Sequence, residues 1–150
     1  MERGRARRVE SPKRKRQQGS SLKKSQDIWE SKPASEDYRA AHDYLTLLFN
    51  EKQAAKIVQR LRAAPTIQRQ AKDLLRASQT HLLDKDNPQV AAELKKIKKS
   101  KKLSPVLLVR GNGLSGATLI IADGQHRICA SWYWDEDCPV ACCLASPSPN

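Results

Sequence analysis

Leu119-Ile-Ile-Ala-Asp-Gly-Gln-His-Arg-Ile-Cys-Ala-Ser131 decides the fold, because it joins an apolar, strand-like run to a helix-like run through a single glycine. Gly124 lets the backbone bend tightly at that junction. A helix starting there presents N–H groups without intrahelical partners and the positive end of its dipole, the arrangement that binds anions at helix N-termini. Arg127 adds a permanently charged planar fork that matches phosphate. Each residue also has a purely structural reading. Gly124 can be a permissive turn, Asp123 a helix cap, His126 a packed ring, and Arg127 the partner of an acid such as Glu136 or Asp137.

Working outward, Val106-Leu-Leu-Val109 is a short apolar run, Gly111-Asn-Gly113 and Gly116 supply turn chemistry, and residues 118–121 form a second run. Two adjacent strands are expected. Beyond the turn, Ile128, Ala130, Trp132 and Trp134 give the helix its packing face, and residues 139–144 read as a last strand. Its proline places that strand at an edge or sits at the strand's start. Upstream, Asp86-Asn-Pro88 is a helix start, Val90, Leu94 and Ile97 form a buried stripe, and five lysines between 95 and 101 occupy the other face. Residues 66–83 fit either a helix, through Ala71, Leu74 and Leu75, or a strand. Tyr38, Ala41, Leu45 and Leu48 predict an amphipathic helix ending near Phe49. Asn50 and Gln53 form a capping box for a second helix striped by Ala54, Ile57, Val58 and Leu61 before Pro65. The pair reads first as a packing face.

At 150 residues the chain suits one domain with a single core. Of the net charge of +12, residues 1–24 supply +8 and the remaining 126 residues only +4. That N-terminal stretch is rich in Arg, Lys, Ser and Gln, so residues 1–30 are expected to be a disordered basic arm, able to attract polyanions without reading sequence. Residues 31–65 are the helical pair, 66–145 the main domain and 146–150 a loose tail. No run approaches the roughly 18 apolar residues of a membrane helix, and no signal-like segment follows the basic start. A soluble, cytoplasmic protein with no membrane partner is expected. Cys129, Cys138, Cys142 and Cys143 crowd the C-terminal quarter without the spacing of a disulfide framework. His126, Cys129, Cys138 and Cys142 could be combined as metal ligands, but they lack paired-thiolate spacing and read better as small buried hydrophobes. No metal site is expected.

The order helix, strand, glycine hairpin, strand, Asp-Gly-x-His-Arg, helix, strand resembles the domain shared by the chromosome-partition protein ParB and sulfiredoxin, over roughly residues 71–144. The likeness is carried by Leu103-Ser-Pro-Val-Leu-Leu-Val109 and by Ile121-Ala-Asp-Gly-Gln-His-Arg127. ParB-like members have a Gly-x-x-Arg box at the second position, and a related serine-kinase branch has Asp-Gly-His-His-Arg. The resemblance implies an α/β (α+β) fold, a small mixed sheet with flanking helices. It also implies nucleotide phosphate at the turn, contacted first by Gly124, His126 and Arg127 within the site Asp123, Gly124, Gln125, His126 and Arg127. A nucleoside triphosphate with Mg2+ is the implied cofactor. Gln125 stands where sulfiredoxin has its reactive cysteine and where ParB has a glutamate associated with nucleotide turnover. Cys129 lies about one helical turn further on and faces another direction. Sulfiredoxin chemistry is therefore not expected. Six residues follow Leu144, where ParB has a helix-turn-helix, so DNA reading of the ParB kind is not expected either.

Three functions follow as expectations. The first is a nucleotide-binding module associated with nucleic acid through the basic arm and the lysine-rich helix. The second is a ParB-like nuclease or small-metabolite phosphotransferase, with Asp73, Asp84, Asp86 and Asp123 as candidate base or magnesium ligands. No residue is assigned as catalytic. The third is an adaptor that docks a partner on the helical pair.

Overall fold

A computed structural model describes residues 28–111 and 118–148. The basic stretch 1–27, the glycine-rich turn 112–117 and residues 149–150 lie outside the described residues, and with them most of the expected arm.

Among the described residues the chain forms five helices and one four-stranded mixed sheet, an α+β fold. The helices are α1 (Ser35–Leu45), α2 (Glu51–Ala63), α3 (Ala71–Ser78), α4 (Pro88–Lys98) and α5 (Gln125–Trp134). The strands are β1 (Ile67–Gln70), β2 (Val106–Val109), β3 (Ile120–Asp123) and β4 (Pro139–Ala145), in sheet order β1-β4-β2-β3. β2 and β4 are parallel, and the other two pairings are antiparallel.

Every residue of β2 is buried, as a strand covered on both faces requires. Alternation along the strand divides its side chains between two cores. Val106 and Leu108 pack with Leu74, Leu94, Ile97 and Ile128, on the side of α3, α4 and α5. Leu107 and Val109 pack with Tyr38, Leu45, Ile57 and Leu61, on the side of α1 and α2. The helical pair is thus one outer layer of the sheet, and its apolar stripe is already covered.

Several sequence expectations hold in detail. Asn50 Oδ1 accepts the Gln53 N–H at 2.8 Å, and Gln53 Oε1 accepts the Asn50 N–H at 3.2 Å, closing the capping box. Asn87 Oδ1 accepts from the N–H groups of Gln89 and Val90 at the start of α4. Residues 66–83 contain both alternatives in succession, β1 and then α3. Pro139 is the first residue of β4, which lies inside the sheet, so its missing N–H falls at the strand's start.

Other expectations need correction. α1 ends at Leu45, four residues before Phe49, and Leu48 is exposed. The arm does not extend to residue 30, because Ile28 and Trp29 are buried in the core. They are held by the Leu103 N–H to the Ile28 carbonyl, the Glu30 N–H to the Leu103 carbonyl and the Trp29 indole N–H to the Pro139 carbonyl. Two apolar residues in a polar stretch sufficed to order its end. In the C-terminal tail, the Pro147 carbonyl accepts from Arg60 at 3.0 Å.

Candidate functional site

The turn between β3 and α5 can be built only on glycine. Gly124 has φ +113°, and a Cβ there would fall 2.7 Å from Val106 Cβ and 3.3 Å from Arg127 Nη2. The structural reading of Gly124 is therefore sufficient to explain it. α5 begins immediately afterwards with no side-chain cap, so its first-turn N–H groups stay available. Asp123 does not cap the helix; its Oδ2 accepts instead from Arg127 Nη2 at 2.6 Å.

Residues 118–126 line a cavity of about 510 Å³ together with Ser78 at the end of α3, Thr80 just after it and Tyr44 of α1. β3 is an outer strand of the sheet, so a strand edge left unpaired among the described residues and an uncapped helix N-terminus share this space. Gln125 and His126 line it, and among the described residues neither side chain has a hydrogen-bond or ionic partner.

Arg127 goes the other way. Successive helix residues turn by about 100°, and the guanidinium, 11% exposed, lies away from the cavity lining. Besides Asp123, it faces Asp37 Oδ2 at 3.4 Å and donates to the carbonyls of Ser104 and Pro105. The Ser104 hydroxyl donates to Asp37 Oδ2 and accepts the Ala34 N–H. The fork is filled by a cluster joining α1, the entry to β2, β3 and α5. Its acids are Asp37 and Asp123, whereas Asp137 pairs with Lys72 at 2.6 Å, and Glu136 has no part in the cluster.

Burial raises the Asp123 carboxyl to about 6, the Arg127 charge opposes that rise and the Asp37 charge adds to it. A carboxyl at such a value, beside a cavity, changes charge near neutrality.

The remaining candidates are dispersed. Asp73 pairs with Arg76 on the exposed side of α3. The Asp84 carbonyl accepts the Asn87 N–H before α4. Asp86 borders a smaller cleft of about 270 Å³ with Lys85, Lys95 and Lys98. Of the four carboxylates named from sequence, only Asp123 borders the larger cavity. All four cysteines are buried, with Cys142 pushed by burial up to about 11. Among the described residues no group of three His, Cys, Asp or Glu is placed to hold a metal ion. No described helix is long and apolar enough to cross a membrane. Sequence reasoning missed Asp37, Ser104 and Tyr44, which no motif or spacing ties to the turn.

No protein-family model, curated protein or solved structure matches this chain.

Proposed function

We propose that the protein binds a nucleotide, or another phosphate-bearing small molecule, in the cavity beside β3. One observation carries this reading: two polar side chains without a partner among the described residues, Gln125 and His126, and an uncapped helix N-terminus converge on one concavity. Its volume lies within the roughly 300–1,000 Å³ typical of small-molecule sites. The N–H groups of α5 donate to the phosphate oxygens, His126 and Gln125 add donors, and Asp123 borders the same space. Arg127 takes no phosphate; it positions the turn by holding Asp123 and Asp37. A magnesium ion would arrive with the phosphates, since Asp123 is the one candidate carboxylate at the cavity and already serves Arg127. Nucleic acid is bound, in this reading, through electrostatic attraction to the basic arm and the lysines of α4.

Calorimetric titration of the full chain with nucleoside di- and triphosphates, with and without Mg2+, tests the site. Wild type is expected to bind at micromolar concentration and His126→Ala severalfold more weakly, with an unchanged thermal melt. No binding by wild type would reduce the turn to a structural element.

The Asp123 carboxyl favours a second reading, slow phosphoryl transfer or hydrolysis, with Asp123 as the general base. Phosphate release that disappears in Asp123→Asn while nucleotide affinity persists would support it.

A further inference from the structure

The ends of the cavity differ in chemistry. At one end lie the N-terminus of α5, Gln125 and His126. Tyr44 belongs to α1, whose Asp37 is tied to Arg127 and hence to the α5 end of the site. Tyr44 follows Asp37 by seven residues, about 10 Å along the helix axis. Its wall therefore stands well away from the cluster, about as far as a base stands from the phosphates of a nucleotide. The lining also includes the hydroxyl-bearing residues Ser78, Thr80 and Thr118.

Tyr44 is unusual for this fold. It is 43% exposed, and it, Leu47 and Leu48 are the large hydrophobic side chains left open among the described residues. The stripe of α1 that packs on the sheet is made by Tyr38, Ala41 and Leu45, so Tyr44 contributes to no core. An aromatic ring at a cavity wall offers a flat apolar face and a polar tip. Stacking on such a ring accepts any base, because every base has a π-face.

We infer that Tyr44 is the base-stacking residue of this cavity, which makes its ligand a complete nucleotide rather than a bare phosphate or a sugar phosphate. The inference rests on the phosphate-binding reading and adds the other end of the ligand. The hydroxyl-bearing residues of the lining suit a ribose. The ring itself is 43% exposed, so the base edge remains partly open, and discrimination among bases is weak.

Two probes separate the ends: a nucleoside triphosphate series, and inorganic tripolyphosphate, which has the phosphates without base or sugar. Calorimetry is run on the full-length wild type, Tyr44→Ala and Tyr44→Phe, each checked by thermal melt. Wild type is expected to bind each nucleoside triphosphate at least tenfold more tightly than tripolyphosphate. Tyr44→Ala is expected to lose about tenfold in nucleotide affinity and to keep its tripolyphosphate affinity, and Tyr44→Phe to keep both. Equal affinity of wild type for the two probes, or no loss in Tyr44→Ala, would overturn the stacking role and leave the phosphate site standing. Equal losses for both probes in Tyr44→Ala would also overturn it, because the residue would then act through the fold. If wild type binds neither probe, the phosphate reading itself is wrong.

Discussion

Removing the Arg127 side chain should destabilise the protein far more than removing an exposed charge. The guanidinium is 11% exposed and lies 2.6 Å from Asp123 and 3.4 Å from Asp37. Exposed ion pairs contribute about 0–1 kcal/mol, but deleting one partner of a buried cluster leaves its other charges desolvated, at about 3–5 kcal/mol. Arg127→Met keeps much of the stem's volume and therefore isolates the charge term. For a domain of this size, about 3–5 °C of melting temperature per kcal/mol translates the loss into a fall of roughly 10–25 °C at pH 7. Circular dichroism melts at pH 7 and pH 5 measure it. The deficit should narrow at pH 5, because an orphaned carboxyl with a raised pKa takes up a proton there. In the triple variant Asp37→Asn, Asp123→Asn, Arg127→Met, most of the lost stability should return, since replacing a whole buried cluster is often close to neutral. A deficit of about 1 kcal/mol or less, or one equal at both pH values, would show that the cluster is solvated and that the reasoning is wrong.

Two further outcomes follow from the turn. Gly124→Ala must adopt positive φ and push against Val106, a combined cost of about 3 kcal/mol, read as a lower urea midpoint with an unchanged m-value. Asp123 has its folded-state pKa raised from 3.8 to about 6, so its contribution to stability is full below the unfolded value and is lost as pH rises through about 6. The shift of roughly two units corresponds to about 3 kcal/mol; the difference in stability between wild type and Asp123→Asn should therefore fall steadily from pH 4 to pH 7, and a constant difference would refute the shift.

What the sequence disclosed was local, and what it concealed was remote. Asn50 with Gln53, Asn87 with Pro88, and Gly124 announce themselves because a cap or a left-handed turn needs its residue type within three positions. The β2 run was legible because four apolar residues bounded by turn signals leave little choice. The partners of Arg127 were not legible. Glu136 and Asp137 were the acids named from the sequence, yet Asp137 is taken by Lys72; of the two acids that bind Arg127, Asp123 lies one helical turn before it and Asp37 lies 90 residues away at the start of α1. There, Asp37 has the ordinary appearance of an acidic residue in a helix's first turn. Leu48 was misread because a four-residue step continues a helical stripe only while the helix continues, and α1 stops at Leu45. The cavity had no sequence signature, because its walls come from three separate segments.

The cluster also decides how the site can be tested. His126 and Arg127 are consecutive, yet one lines the cavity and the other leaves it, so the motif divides into a cavity-facing half and a half that holds the walls together. α1 carries both Asp37, which Arg127 grips, and Tyr44, which borders the cavity two turns later. Replacing Arg127 would therefore shift the far wall as well as the turn, and weaker nucleotide binding in such a variant would say nothing about direct phosphate contact. The opposite observation is informative. If a folded Arg127→Met variant that also carries Asp37→Asn and Asp123→Asn still binds nucleotide, then the guanidinium acts only by holding geometry, and the anion is recognised by the backbone and His126.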